Sequence, residues 1–253
     1  MVKTSEIIKV LEKYAPSELA ESWDNSGWQV FLGNEITTKV MICVSVTENV
    51  IQQAIELGCN LIVSHHPLIF RPVKVLQDLK LIKAVQNNIQ IYSLHTNCDK
   101  TVRGTSDLIA EKLNLKKTAR LNDFVRVGLA PRRMSLEELI SLVKLTFNVE
   151  RIKLVNNVKK SVIKTIAVCA GSGASFIPEV EKYNIDAYIT ADVKFHDALD
   201  SNRAVILDIG HFESEQCIKE VFYEQISKNF INFAILMAEC DKSPVEYSYL
   251  VED

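Results

Sequence analysis

Two stretches of sequence decide the fold of this chain: KVMICVSVTENVIQQAIELGCNLIVSHH at 39–66 and KTIAVCAGSGASFIPEVEKYNIDAYITAD at 164–192. Each reads as an apolar strand, a helix and a second apolar strand. The two superimpose with a constant offset of 126 residues, which pairs His66 with Asp192. Because any two β-α-β units resemble each other in this way, the offset alone does not establish a common origin.

A second repeat follows the next strand of each half. After IQIYSL comes His95-x-x-x-Asp99, and after AVILDI comes His211-x-x-x-Glu215, 116 residues later. Both motifs place an imidazole and a carboxylate at the C-terminal end of a strand, where α/β sheets bind their ligands. Since both repeats occur in the same order, we predict an α/β protein built by internal duplication.

Length and composition suit such a duplicated protein. With 253 residues, 47% hydrophobic and 24% charged, the chain can bury one large core or two modest ones. No low-complexity linker separates the halves. We place the boundary within 121–133, which gives halves 1–125 and 126–253. We expect the two halves to intertwine rather than to form separate consecutive domains.

Charge and hydropathy exclude several classes of partner. A net charge of -3 gives no general attraction to nucleic acid, which is therefore not an expected partner. The N-terminal residues MVKTSEIIKVLEKYAP lack the apolar core of a signal peptide. No stretch approaches the ~20 apolar residues that a membrane span requires. We therefore expect a cytoplasmic protein.

The six cysteines include no C-x-x-C pair, which is typical of reduced thiols in the cytoplasm. Cys98 differs from the others because it lies within HTNCD, between two candidate site residues. We interpret it as a small packing residue beside the site.

Local signals fix several helix ends. Thr4 is expected to cap an N-terminal helix, and Thr47 and Gly58 to bound the helix over ENVIQQAIEL. Ser135 and Glu138 have the spacing of a capping box. The residues ESEQCIKEVFYEQISKN read as one helix.

The adjacent histidines His65 and His66 follow a buried strand. Neighbouring side chains of a strand point to opposite faces, so a regular strand cannot direct both at one ion. Pro67 ends the strand pairing and favours an extended or turn conformation at His66. A lone histidine is usually structural, but two adjacent ones near two His-carboxylate motifs indicate ligands of two neighbouring metal ions.

Asp99 and Glu215 supply the negative charge that imidazoles lack. Both lie near a predicted helix start, where either one alone could simply be a cap. Their matching positions behind His95 and His211 favour a metal-binding role. Mixed nitrogen and oxygen ligation suits Zn, Fe, Mn, Co or Ni without distinguishing among them.

Two further segments are unusual. WDNSGWQVFLG, starting at Trp23, is predicted as a loop whose aromatic and polar residues either line a pocket or provide ordinary turn chemistry. CAGSGASF, starting at Cys169, could present backbone N–H groups to a phosphate. Because it lacks the lysine of a phosphate-binding loop, we favour a tight strand-to-helix connector.

The motifs WDNSGWQV, SHHP, HTNCD, TADVKFHDA and GHFESE, in this order, resemble the GTP cyclohydrolase 1 type 2 homologues, also called the Ngg-one-interacting-factor-three-like family. The resemblance implies two similar intertwined three-layer α/β/α domains with mixed sheets, two divalent metal ions per chain in the cleft between them, and a toroidal homohexamer. It implies that His66 and Asp99 bind one ion, that His65 and His211 bind the other, and that Glu215 bridges both.

The resemblance also implies roles beside the metals. His95, His196 and Asp192 match motif positions near the ions without being expected ligands, so they are assigned to ligand support or proton transfer. The chain departs from the family pattern at Cys98, where an aliphatic residue is usual, and at Ala191, where glycine is usual.

Two functions fit this sequence. One is a metal-dependent hydrolase that acts on a nucleotide or related small molecule, with His95 or His196 as proton donor. The other is a metal-binding, metal-delivery or protein-interaction role without turnover. The expected ligands are the same in both cases, so the residues do not decide between them.

Overall fold

A computed structural model describes residues 1–248 of the chain. The strands within this range are β1 (Val2–Lys3), β2 (Gly27–Val30), β3 (Ile36–Thr37), β4 (Lys39–Cys43), β5 (Leu61–Ser64), β6 (Gln90–Ser93), β7 (Lys116–Arg120), β8 (Arg126–Met134), β9 (Lys153–Val155), β10 (Ile163–Val168), β11 (Ala187–Thr190), β12 (Val205–Asp208) and β13 (Ala234–Met237). The α-helices are α1 (Thr4–Tyr14), α2 (Glu48–Leu57), α3 (Leu79–Gln86), α4 (Thr96–Lys100), α5 (Thr105–Lys112), α6 (Leu136–Phe147), α7 (Ile177–Glu181), α8 (Phe195–Asp200), α9 (His211–Glu215) and α10 (Ile218–Asn229).

The strands form two large mixed sheets and a small β1-β3 pair. The first sheet has the order β13-β4-β5-β6-β2, and the second has the order β7-β8-β10-β11-β12-β9. In each sheet three consecutive strands run parallel, β4-β5-β6 or β10-β11-β12, and the third of them pairs with an antiparallel strand, β2 or β9. The predicted α/β class with mixed sheets is confirmed, whereas the internal duplication stays a prediction.

Helices cover both faces of the first sheet. Because side chains alternate along a strand, Val40 and Ile42 of β4 pack toward α1 and α10, whereas Met41 and Cys43 pack toward α2 and α3. All four side chains are fully buried. The first sheet is therefore the middle of three layers.

The second sheet is covered in the same way. Ile166 and Val168 of β10 pack toward α5 and α6, and Ala167 packs toward α7. Helix α5 serves both sheets, since Leu108 lies in the core of the first and Ile109 in that of the second. This shared helix joins the two three-layer units.

The predicted division into 1–125 and 126–253 stays a prediction, and each sheet contains strands from both sides of its boundary. Strand β7 precedes this boundary but belongs to the second sheet, and β13 follows it but pairs in parallel with β4 of the first. Helix α10 likewise packs on the first sheet beside α1. The chain therefore returns to its first unit at its end.

Most of the predicted helix signals are confirmed. Thr47 accepts a hydrogen bond from the backbone of Val50, Gly58 ends α2 in the left-handed conformation, and Ser135 begins α6 with a complete capping box. The expected cap at Thr4 is wrong, because Thr4 is already helical. Its hydroxyl group instead shares a 2.8 Å hydrogen bond with that of Thr37.

Two segments differ from their predicted structure. Residues 27–30, expected within a loop, form β2, because Gly27, Trp28 and Val30 pair with β6 and Val30 is buried. The single helix expected after His211 is two helices, α9 and α10. No helix among residues 1–248 is both long and apolar enough to cross a bilayer.

Candidate metal centre

The cluster is built at the C-terminal ends of strands from both sheets. His65 and His66 directly follow β5, and His95 lies two residues after β6. His211 and Glu215 are the first and last residues of α9, just after β12 of the second sheet. The fold therefore brings the repeated motifs of the two halves together.

Three imidazoles converge on the carboxylate of Glu215. Nε2 of His66 lies 2.9 Å and Nε2 of His211 3.2 Å from Oε2 of Glu215. Nε2 of His65 lies 3.7 Å from the other oxygen, Oε1. Glu215 is buried beneath the cluster, so its charge is compensated by these histidines rather than by solvent.

Each histidine of the cluster is held through its other ring nitrogen. Nδ1 lies 2.7–2.8 Å from an oxygen atom in all four cases. The partners are the Leu94 carbonyl for His65, the Ser45 hydroxyl for His66, the Asp24 carboxylate for His95 and the Asp192 carboxylate for His211. Metal-binding histidines are usually oriented in this way, with Nε2 left for the ion.

The cluster leaves buried polar atoms without hydrogen bonds. Nε2 of His65 and Oε2 of Glu215 are buried and form no well-aligned hydrogen bond with any of residues 1–248. Unpaired buried polar groups are costly, and a cation between them would satisfy both. The groups His66-His211-Glu215 and His65-His66-His95 each offer ligand atoms within 4.8 Å of one another. The donor set therefore fits divalent ions.

The contacts leave the assignment of ligands to ions a prediction, because His66 belongs to both groups of ligand atoms. Oδ1 of Asp99 lies 3.6 Å from Nε2 of His65, and His66 groups with His211 around Glu215. The resemblance instead implied Asp99 with His66 and His65 with His211. Glu215 contacts three of the candidate ligands, with Oε1 toward His65 and Oε2 toward His66 and His211.

The pKa values of the cluster residues are set by burial and by the charges of their neighbours. Burial opposes the ionisation of Glu215, but the surrounding imidazoles outweigh it and hold its pKa well below the usual range. Burial also lowers the pKa of His66. For His65, burial is outweighed by the Asp99 and Glu215 carboxylates, which raise its pKa, and for His211 the Glu215 and Asp192 carboxylates raise the pKa to about 9.

The 169–176 segment shapes the floor of the site. Gly171 has a φ of 60°, and a Cβ added there would overlap Oε1 of Glu215. The backbone N–H of Ala170 donates to Ser106, that of Gly171 to Ser214, and that of Gly173 to the Gly171 carbonyl. Because these three N–H groups are paired within the protein, they are not available to a phosphate, which favours the connector.

The three residues assigned to support or proton transfer have different surroundings. His95 offers a ring nitrogen within 4.8 Å of those of His65 and His66. Asp192 lies 2.7 Å from Nδ1 of His211 and thus orients a candidate ligand. His196 is exposed on α8, where its ring contacts Phe195, and the structure does not bring it to the cluster. Its role in proton transfer stays a prediction.

Several supporting residues could not be recognised in the sequence. Ser45 holds His66, and the Thr105 hydroxyl donates a 2.6 Å hydrogen bond to Asp99. The buried carboxylate of Asp241, beyond β13, accepts hydrogen bonds from the backbone N–H groups of Val44 (2.6 Å) and Ser45 (3.3 Å). Only the folded chain brings these residues together.

Cys98 and Ala191, the two departures from the family pattern, are both fully buried. Burial raises the pKa of the Cys98 thiol, so the thiol is neutral, and Cys98 packs in the core of the first sheet. This agrees with its interpretation as a packing residue.

A pocket of about 450 Å³ opens above the cluster. Its floor includes His95, Asp99, His211 and Glu215, and its walls include two aromatic pairs. The ring centroids of Trp23 and Phe70 lie 6.1 Å apart, and those of Phe124 and Phe176 lie 5.8 Å apart in a stacked arrangement. Of the two alternatives for WDNSGWQVFLG, Trp23 supports the pocket lining, and the 27–30 strand shows that part of the segment is sheet edge.

Two joined three-layer units with a histidine-carboxylate cluster at their strand ends define the class: an α/β protein with a candidate metal centre. Comparisons with known proteins place the chain within this class. The model of the family Duf34/NIF3 (NGG1p interacting factor 3) matches residues 2–244, so the chain belongs to that family. The resemblance inferred from the motifs is thereby confirmed.

Individual relatives agree with this assignment. The chain is 32% identical to a GTP cyclohydrolase 1 type 2 homolog of Clostridium acetobutylicum, across 97% of this chain and 99% of that protein. A crystal structure of a Bacillus cereus protein related to NIF3 matches with a TM-score of 0.90 at 21% identity, covering 97% of this chain and 99% of that one. A hypothetical protein of Staphylococcus aureus matches with a TM-score of 0.87 at 25% identity, covering 98% and 99%.

Proposed function

We propose that this protein is a dinuclear metal-dependent hydrolase that acts on a nucleotide or related small molecule. The observation that carries the proposal is the convergence of three imidazoles on the buried Glu215 carboxylate, with Asp99 beside them, at the floor of a pocket. Five donors exceed what one tetrahedral ion with an open position needs. Zn, Fe, Mn, Co and Ni all suit this set.

The chain's own residues supply positioning and proton transfer. Divalent ions bound here would polarise a substrate bond and make water a stronger nucleophile. The hydrogen bonds to each Nδ1 fix the imidazole rings before any ion binds, which limits reorganisation. His95 faces the same pocket and is the best-placed group to give or take a proton beside the cluster.

The aromatic walls support a substrate with a planar ring. Trp23 and Phe70 are 60% and 57% exposed, so much of each ring is available to a ligand. Stacking of a nucleobase on an aromatic side chain contributes about 1–3 kcal/mol. The name of the relatives, GTP cyclohydrolase 1 type 2 homolog, makes guanine nucleotides the first compounds to test.

The test has two stages. Protein purified without chelator is loaded with each metal in turn, its metal content is measured, and nucleotides and phosphoesters are screened for turnover. We expect about two ions per chain. Turnover should be lost in Glu215→Gln, and Phe70→Ala should raise KM for a ring-bearing substrate more than it lowers kcat. A chain that binds no metal in supplemented buffer would overturn the proposal.

The alternative role, metal binding or delivery without turnover, would be supported by full metal loading with no activity on any compound. We also propose the toroidal homohexamer that the resemblance implies, which native mass spectrometry can test. The cytoplasmic location likewise stays a proposal.

A further inference from the structure

We propose that Asp24 is the positioning residue of His95: its buried carboxylate binds Nδ1–H of the imidazole and so keeps Nε2 unprotonated and available to the metal cluster. Asp24 belongs to the WDNSG segment, which the proposed function leaves without a chemical role.

The Asp24 side chain is fully buried and is surrounded by donors. Its Oδ1 lies 2.7 Å from Nδ1 of His95 and accepts a 2.8 Å hydrogen bond from the backbone of Asn25. Its Oδ2 accepts from the hydroxyls of Ser26 and Thr96, each at 2.6 Å, and from the Thr96 backbone at 3.1 Å. The backbone N–H groups of Asn25 and Thr96 can only donate, so each carboxylate oxygen accepts at least one hydrogen bond. Burial opposes ionisation, but the hydrogen bonds from His95, Ser26 and Thr96 hold the pKa of Asp24 below its usual range, and the carboxylate is ionised.

An ionised carboxylate has no proton to give, so Nδ1 of His95 must carry the hydrogen of this bond. In a neutral imidazole, Nε2 then holds a lone pair. Among residues 1–248 this Nε2 has no hydrogen-bond partner, whereas the ring lines the pocket beside His65 and His66, with centroids 5.4 and 5.7 Å away. A nitrogen lone pair is thus presented to the cluster.

If Asp24 only stabilised the 21–26 loop, its hydrogen bonds with Asn25, Ser26 and Thr96 would be sufficient. The hydrogen bond with Nδ1 of His95 has a further effect that loop stability does not require, because it selects one of the two imidazole tautomers. In the Ser-His-Asp triad, an aspartate in the same relation to histidine has this function, and its replacement by asparagine selects the wrong tautomer.

The geometry predicts what asparagine would do at position 24. At the Oδ2 position an amide nitrogen would face three groups that donate to Asp24, whereas at the Oδ1 position it would face the Asn25 N–H and His95. The nitrogen is therefore expected at the Oδ1 position, where it loses the Asn25 hydrogen bond and His95 adapts by accepting at Nδ1 and moving its proton to Nε2. Asp24→Asn should therefore reverse the tautomer.

The test is ¹⁵N NMR of histidine-labelled, zinc-loaded full-length protein, with the His95 signals assigned from a His95→Gln variant. Wild type should show a protonated Nδ1 and an unprotonated or zinc-bound Nε2. Asp24→Asn should shift the tautomer ratio by about tenfold or more toward Nε2–H. Thr96→Val is the matched control, since it removes a hydrogen bond to Oδ2 but leaves the Nδ1 contact, and it should keep the wild-type tautomer.

Two results would overturn the proposal: a wild-type His95 that is protonated at Nε2, or an equal tautomer shift in Asp24→Asn and Thr96→Val. The first can be read from wild type alone, so it stands even if Asp24→Asn fails to fold. The value of the lone pair to catalysis rests on the proposed function, but the tautomer does not. A protein without turnover that keeps the Asp24-dependent tautomer would refute the hydrolase and leave this inference intact.

Discussion

Gly171 lies against the carboxylate of Glu215 so closely that a Cβ on Gly171 would overlap Oε1 and stand 3.3 Å from Nε2 of His211. The glycine also has a left-handed φ of 60°, which other residues adopt only at a cost. The backbone conformation and the shape of the candidate metal centre thus depend on the same residue.

Gly171→Ala is expected to displace the Glu215 carboxylate and weaken metal binding by about 10- to 100-fold. Gly33→Ala is the matched control, because Gly33 also has a left-handed φ, 75°, but a Cβ there would meet nothing within 4 Å. Both variants should lose some stability from backbone strain. Zinc titrations of the two proteins separate that strain from the contact with Glu215, and equal affinities would contradict the prediction.

The pairing of ligands can be tested with double variants. If Asp99 and His65 serve the same ion, Asp99→Asn combined with His65→Gln should still hold about one ion per chain. Asp99→Asn combined with His66→Gln should hold close to none. The resemblance predicts the reverse order. Metal content by mass spectrometry decides between them, and Glu215→Gln should weaken both ions together in either case.

Metal binding should release protons at neutral pH. The pKa of His211 is raised to about 9 and that of His65 is also raised, so both are protonated in the metal-free protein at pH 7. His66 and Glu215, with lowered pKa values, have no proton to lose. Calorimetry in buffers of different ionisation enthalpy should show about two protons released per chain at pH 7 and fewer above pH 9. A pH-independent affinity between 6 and 9 would rule this out.

Asp186 is expected to stabilise the second sheet in a pH-dependent way. Its mostly buried carboxylate accepts hydrogen bonds from the backbone N–H groups of Lys164 and Thr165 and from the ammonium of Lys160. Although burial opposes ionisation, these donors lower its pKa. A lowered pKa means that the stabilisation is present above the unfolded value of about 3.9 and is lost as the pH falls through the folded value.

Asp186→Asn should therefore reduce the free energy of unfolding by about 1–3 kcal/mol at pH 7. The difference from wild type should shrink as the pH falls from about 5 toward 2. Urea unfolding across this pH range measures the difference in the free energy of unfolding, and Asp200→Asn, at an exposed position, is the control. A difference that does not change with pH would mean that the Asp186 charge contributes nothing.

The sequence predicts the parts of the fold that local patterns determine. The apolar runs of β4, β5, β10 and β11 are buried on both faces, so their hydrophobic signal is continuous. The candidate ligands could be predicted because strand ends carry the chemistry in such sheets. By contrast, β7 has the sequence KKTAR and is exposed at every position, so it gives no hydrophobic signal.

The rest of the site depends on contacts between distant residues. Asp24 meets His95 and Gly171 meets Glu215 only because strands from separate parts of the chain end at the same place. The ion pairing suggested by Asp99 and His65 likewise depends on side-chain directions, which spacing along the chain does not specify. Local patterns therefore identify the candidate ligands, whereas the tertiary structure determines which of them lie next to each other.

The return of β13 to the first sheet has a consequence for synthesis. Until residues 234–241 have left the ribosome, the edge of β4 lacks its parallel neighbour, and the Val44–Ser45 turn lacks the Asp241 carboxylate that fixes it. Ser45 in turn holds His66. Since His211 and Glu215 are themselves made late, we expect the candidate centre to take its final shape only in the last stage of folding, and tight metal binding to follow it.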